Sequence, residues 1–254
     1  MVNPHIHIPY RKLEDYLHFI QKHRLDLEIF FSAHSLETIK DSDITKLREK
    51  LSYNPSLSIH APFMDLSPGA VDSKVRAVTI DRFLNIFDIA EILNPKVIVF
   101  HSGYEKWKYA LRIDKWLEGS LITWKQLLPR AIERSIKIAI ENIFEDDPIN
   151  LRLLMQHMNS DYFGICFDTG HFNLFSKTSL EEWLKQLKSY IIELHLHDNN
   201  KNVDAHKAIG DGTFDFDTLF SALKGKPLVY TLEAHTPEDV LKSIERLKSY
   251  NLSA

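Results

Sequence analysis

The chain has 254 residues, 44% hydrophobic and 26% charged, an ordinary composition for a soluble globular protein with enough apolar material for a sizeable core. A formal net charge of -4 gives no electrostatic reason to expect nucleic acid or an anionic membrane as the main partner. A lone cysteine, Cys166, excludes an intramolecular disulfide.

No run approaches the roughly 18 apolar residues of a membrane span. The N-terminus, MVNPHIHIPYRKLEDY, lacks a basic segment followed by an apolar one, so no secretory signal is expected and a cytoplasmic location is the default. No linker-like stretch divides the chain, and residues 1–254 are expected to form a single domain.

Short β-branched or aromatic runs alternate with longer amphipathic stretches. The pattern predicts a strand over 2–8 and a helix over about 10–23, then a strand over 25–31 and a helix over about 42–51. LSIH at 57–60 reads as the third strand. Its helix, about 71–93, is expected to bury Val75, Val78, Phe83, Ile86, Phe87 and Ala90. KVIVFH (96–101) follows, then a helix ending near Arg134, and IKIAIE (136–141).

A helix over about 148–157 leads to YFGICFD (162–168), and Thr178 and Ser179 open a capped helix. IIELHLHD (191–198), a helix from about Asp215, PLVYTLE (227–233) and a C-terminal helix from TPEDVLKSIERLKSY complete the pattern. Eight strands separated by eight helices imply parallel pairing through right-handed crossovers. The length favours a closed α/β (β/α)8 TIM barrel, and no dinucleotide fingerprint follows the first strand to support an open sheet.

Six consecutive strands end in a side chain able to bind metal: His60, His101, Glu141, Asp168, His195 and Glu233. A barrel brings these ends together on one rim, where active sites of this fold lie. His171, Asp204 and His206 stand just beyond strand ends and join the candidates. Clustered carboxylates repel one another and are costly to desolvate, which a bound cation relieves. Imidazole and carboxylate without thiolate suit Zn2+, Mn2+, Fe2+ or Co2+, with Zn or Mn as the leading expectation and one to three ions per chain.

Other residues near the rim have less specific readings. His5 and His7 end the first strand and are candidates to line the pocket. His197 is a candidate to orient His195 or touch substrate. Trp107, Tyr109 and Trp116 follow the fourth strand, where either a lid or rim packing is expected. Cys166 lies two residues before Asp168 and is read as core one layer deeper; His18, His23, His34 and His157 are read as surface. The GDG at 210–212 is too short for a phosphate loop, though glycine there eases a tight return into the next helix.

The segments IHAP (59–62), FHSG (100–103), IEN (140–142), FDTGH (167–171), HLHD (195–198), DAH and GDG (204–212) and LE (232–233) occur in an order that resembles the xylose isomerase-like barrel superfamily. That superfamily includes sugar isomerases, sugar epimerases and the endonuclease IV type of AP endonuclease (family 2). The resemblance runs from about residue 25 to 248 and implies a shared metal site of Glu141, Asp168, His195 and Glu233. Endonuclease IV carries three zinc ions, and the resemblance matches its five further ligands to His60, His101, His171, Asp204 and His206. Two features depart from it: FFSAHSLETIK has neither the Pro nor the Arg of its DNA-contacting stretch, and Phe63 stands where it tends to carry Tyr.

Three functions follow as expectations. The leading one is a metal-dependent isomerase or epimerase acting on a sugar or sugar phosphate, with Glu141 and Glu233 as catalytic carboxylates and His7, Phe63, Trp107 and His197 touching substrate. An endonuclease IV-like phosphodiesterase acting on abasic DNA is the alternative, which would make nucleic acid a partner. A metal-binding barrel without catalysis, or a lyase, is the third.

Overall fold

A computed structural model describes residues 2–252. The strands are β1 (His5–Pro9), β2 (Asp26–Phe30), β3 (Leu57–His60), β4 (Val97–His101), β5 (Lys137–Glu141), β6 (Phe163–Asp168), β7 (Ile191–Leu196) and β8 (Val229–Leu232). All pair in parallel, each with its neighbour in sequence, and β8 returns to β1 to close the barrel. Between and after them run α1 (Leu13–His23), α2 (Ala33–Thr38), α3 (Asp41–Lys50), α4 (Ser73–Leu93), α5 (Ile113–Glu133), α6 (Ile149–Met158), α7 (Thr169–Phe175), α8 (Leu180–Leu187), α9 (Phe216–Leu223) and α10 (Pro237–Ser249).

The strands fall where the hydrophobic runs predicted them. Two short helices, α2 and α7, lie beyond the eight expected. Each starts on a side-chain cap: Ser32 accepts from the Ser35 amide, and Asp168 from the His171 amide. Ser179 and Asp215 cap α8 and α9 in the same way. The apolar face of α4 needs correction. Phe83, Ile86, Phe87 and Ala90 are buried, but Val75 and Val78 are 44% and 59% exposed. The positions one turn before Phe83 on its own face are Thr79 and Ile80, which are buried; Val78 falls out of phase, and Val75 lies in the first turn of α4.

Alternation along the strands separates two layers. Leu27, Ile29, Ile59, Ile98, Phe100, Ile138, Ile140, Ile165, Phe167, Leu194 and Leu232 belong to the main core between barrel and helices, all fully buried. Inside the barrel Val97, Val99, Ala139 and Cys166 form a small apolar cluster. Cys166 is thus core, as its spacing from Asp168 implied. The rest of the interior is polar: His5, Glu28, Ser58, Glu193 and Thr231 are all buried. No described helix is long and apolar enough to cross a membrane.

Candidate metal centre

β3, β4, β5 and β6 each end on a candidate ligand, His60, His101, Glu141 and Asp168; His195 is the penultimate residue of β7, and Glu233 directly follows β8. Register aligns the set across strands, pairing His101 with Glu141 and Asp168 with His195. Glu141 is the junction. Its Oε2 lies 3.1 Å from His60 Nε2, 3.2 Å from His101 Nε2 and 3.5 Å from His195 Nδ1; its Oε1 lies 3.0 Å from His171 Nδ1.

His195 Nδ1 supplies the sharpest test of whether a cation fits. The ring is fully buried and this nitrogen has no hydrogen-bond partner. Three carboxylates surround it: Glu233 Oε1 at 3.1 Å, Glu141 Oε2 at 3.5 Å and Asp168 Oδ2 at 3.8 Å. Around a tetrahedral zinc ion with bonds near 2.0–2.1 Å, neighbouring donors stand about 3.3 Å apart. The spacings bracket that value. Without a cation, three anions converge on a buried nitrogen; with one, the same four atoms form an ordinary nitrogen-and-oxygen donor set.

A second group adjoins the first. His60 Nε2 and His101 Nε2 face each other at 3.2 Å, and both face Glu141. The third group is carried by loops and α7. His171 Nε2 lies 3.5 Å from Asp204 Oδ2, His206 Nδ1 lies 3.6 Å from Asp204 Oδ1, and His206 Nε2 lies 3.0 Å from Glu233 Oε2. The loop bearing Asp204 and His206 is pinned at its base. Asp198 and Lys207 exchange backbone hydrogen bonds of 2.9 Å, and the Asp198 carboxylate accepts from the amides of Asn199, Gly212 and Phe214. Gly212 is needed there, because a Cβ would lie 2.4 Å from the Asp198 carboxylate.

Charge is arranged to match. Burial alone would raise the Glu141 and Glu233 carboxyls, but surrounding imidazoles outweigh it and hold both well below the usual range. Burial works against protonation of His195, yet the neighbouring carboxylates Glu28, Glu233 and Glu141 raise it well above normal. His206 is likewise opposed by burial and lifted to about 9 by its bond to Glu233 and by Asp204. His101 goes the other way, with burial lowering it. These rings and acids hold one another in charged forms, so a cation bound here would take the place of protons on the imidazoles.

All nine candidate ligands therefore meet at one end of the barrel. Seven of them, all but the fully buried Asp168 and His195, border a cavity of about 820 Å³ lined also by His7, Phe63, Phe30, Met64, Phe144 and Phe175. Phe63 stacks on the His101 ring at 4.1 Å. His197 is fully buried; its Nε2 lies 3.1 Å from both Asp168 oxygens and its ring stacks on His206 at 4.2 Å. Gly170 leaves the space for it, since a Cβ there would lie 2.0 Å from His197 Cε1. His197 thus sits beside the ligands and not on the open cavity wall.

Trp107 does not line the cavity. Glu105 accepts from the backbone amides of Trp107 and Lys108, and the indole stands 69% exposed with the Lys106 ammonium over it. Trp116 and Tyr109 are buried, hydrogen-bonded to the Ser102 carbonyl and the Ser67 hydroxyl, so they pack the rim and form no lid. His5 lies a layer too deep to line the mouth, bonded to Ser58 and Ser56, whereas His7 reaches it. His18, His23, His34 and His157 are exposed.

Sequence reasoning missed Glu28, Glu193 and His235. The period-two count that puts Cys166 beneath Asp168 also puts Glu193 beneath His195. Burial and the nearby charge of Glu28 raise Glu193 well above the usual carboxyl range. Glu28 is buried on β2 against His7 and His195. His235, exposed, continues the stack outward from His206 at 4.8 Å.

Comparison with known proteins agrees with this architecture. An uncharacterized protein of Methanocaldococcus jannaschii is 30% identical over 227 residues, 86% of this chain and 77% of that protein. A solved D-tagatose 3-epimerase-like protein is 27% identical with a TM-score of 0.81, covering 97% of each chain. A protein from Thermus thermophilus, its crystal soaked with zinc chloride, is 25% identical with a TM-score of 0.82, covering 98% of each. The profile of one family matches residues 25–250, and the chain belongs to it: the xylose isomerase-like TIM barrels.

Proposed function

We propose that the protein is a divalent-metal-dependent isomerase or epimerase of a ketose sugar. The observation that carries this is the buried, unpartnered His195 Nδ1 with Glu141, Glu233 and Asp168 around it, beside a cavity large enough for a small molecule. Glu141, Asp168, His195 and Glu233 would hold the principal ion; His60 and His101, and His171, Asp204 and His206, offer places for others. A divalent cation held there would polarise a carbonyl and the neighbouring hydroxyl.

The chain's own groups do the rest. Glu141 and Glu233 flank the place where the ketose binds, and one of them takes the proton from the carbon beside the carbonyl. Return of a proton to the opposite face inverts that carbon, and return to the former carbonyl carbon shifts the carbonyl. Burial and the aromatic walls of Phe30, Phe63, Phe144 and Phe175 keep bulk water from the carbanion-like centre. Apart from imidazoles, Lys108 is the one basic side chain among the cavity-lining residues, which favours an unphosphorylated sugar over a sugar phosphate. The D-tagatose 3-epimerase-like neighbour supports the same class.

The additional donors around His60, His101, His171, Asp204 and His206 favour a second reading, a multi-ion phosphodiesterase acting on abasic DNA. One experiment separates the two. The metal-loaded protein is incubated in deuterated water with a panel of ketoses, and in parallel with an abasic-site duplex. The expected result is deuterium at the carbon beside the carbonyl of a ketose, suppressed by roughly a hundredfold to ten-thousandfold in Glu233→Gln. Nicking of the duplex without exchange in any ketose would reverse the assignment.

A further inference from the structure

Barrel interiors are usually filled by branched aliphatic side chains. Here Glu28 occupies that interior on β2, fully buried. An ion so placed loses several kcal/mol of hydration unless it is paired and hydrogen-bonded. No lysine or arginine is among its partners. His7 Nδ1 lies 2.9 Å from Oε1, His195 Nε2 lies 3.1 Å from Oε1 and 3.2 Å from Oε2, and Ser58 Oγ donates to Oε2 at 3.3 Å. Strand register fixes this grouping, because His7, Glu28 and Ser58 stand side by side on β1, β2 and β3.

A carboxylate only accepts hydrogen bonds. The ring nitrogens turned toward Glu28 must therefore carry hydrogen. For His195 that keeps a hydrogen on Nε2, and a cation would take the place of the proton on Nδ1, which faces Glu233, Glu141 and Asp168. The opposite tautomer would set a bare Nε2 lone pair against a buried anion. His7 extends the link, since its Nδ1 lies 3.2 Å from Glu233 Oε1 as well as 2.9 Å from Glu28. One buried side chain thus touches two rings, one of which is a candidate ligand and the other of which holds a candidate ligand.

We propose that Glu28 is a positioning residue for the metal centre: it selects the Nδ1-donating tautomer of His195 and, through His7, steadies Glu233. The proposal rests on the metal-centre reading above. Partners that orient a metal-bound imidazole in this way are typically worth 10–100-fold in metal affinity.

The test is nitrogen NMR of the whole chain with labelled histidine rings, recorded at a zinc concentration that just fills the wild type. His195, assigned from its loss in His195→Gln, is expected as the Nε2–H form. In Glu28→Gln one amide oxygen must serve two N–H donors, so the Nδ1–H form should appear. Zinc affinity, by competition with a chelator, should fall about 10–100-fold, and Glu28→Asp should recover part of it by restoring the charge. A wild-type His195 in the Nδ1–H form overturns the proposal, and this needs no variant to fold. So does a folded Glu28→Gln with unchanged tautomer and zinc affinity. Absence of zinc binding by the wild type would instead refute the metal centre, and the proposal with it.

Discussion

Glu141, Asp168 and His195 lie within strands and are at most 1% exposed, whereas Asp204 and His206 lie in the loop after β7 with side chains 33% and 21% exposed. The strand-borne donors are located by barrel register, which the whole core enforces. The loop-borne pair depends on the Asp198–Lys207 bridge and on His206 adopting a left-handed backbone, φ 45°. That conformation costs an ordinary residue of order 1–2 kcal/mol. Two halves of one ligand cluster therefore differ in rigidity. The inner half is preformed by the fold, and the outer half is held by a few hydrogen bonds that ligand binding would reinforce.

The largest effect expected from this difference is at Glu141, which touches His60, His101, His171 and His195 at once. Glu141→Ala should reduce zinc affinity by more than the roughly 10–100-fold typical of losing an outer partner of a ligand, and abolish measurable ketose proton exchange. Titration with zinc against a competing chelator gives the affinity. A variant that still binds zinc as the wild type does would show that the inner half is not built around this carboxylate.

The two halves should also respond to pH with opposite signs. Burial lowers His5, beneath the inner half, to about 4 from an ordinary 6.5. Its folded value is below its unfolded one, so its contribution to stability is present above about 6.5 and lost as pH falls toward 4. Relative to His5→Gln, the wild type should lose about 3 kcal/mol between those limits. His206, lifted to about 9 by Glu233 in the outer half, contributes stability below 6.5 that disappears as pH rises through 9. Denaturant unfolding of the zinc-free protein, of His5→Gln and of His206→Ala across pH 4–10 checks both signs. A pH-independent gap for His5→Gln would remove the inner term.

The same contrast explains what the sequence revealed. The strands were legible because each is an apolar run bounded by polar residues, and the metal-competent residues closing β3 to β8 follow from the barrel geometry. Glu28 and Glu193 were overlooked because an acid inside a strand reads as a solvent-facing residue, whereas both faces of a barrel strand are buried. Trp107 was misplaced for a different reason. Its direction is set by the turn around Glu105, a loop geometry that hydrophobic periodicity does not encode. Asp204 and His206 were candidates from their place beyond a strand end and were matched to ligands by the family pattern, since nothing in local spacing alone brings a loop residue to within 3.0 Å of Glu233.

The smallest expected effect is the most selective. His206→Ala removes one imidazole from the outer group and its contact with Glu233, but none of the Glu141 contacts. If the halves fill independently, zinc content should fall by at most one equivalent while the tightest site keeps its affinity within a few-fold. Elemental analysis after dialysis against a fixed free-zinc concentration gives the count, and chelator competition gives the affinity of what remains. Loss of all zinc in His206→Ala would mean that the outer loop closes the inner site and that the cluster binds as one unit. An unchanged count would mean that His206 holds no ion, and that its partnership with Glu233 is a hydrogen bond that holds the loop down. The difference between those outcomes is what decides whether the chain carries one metal ion at a strand-built site or several across strands and loop.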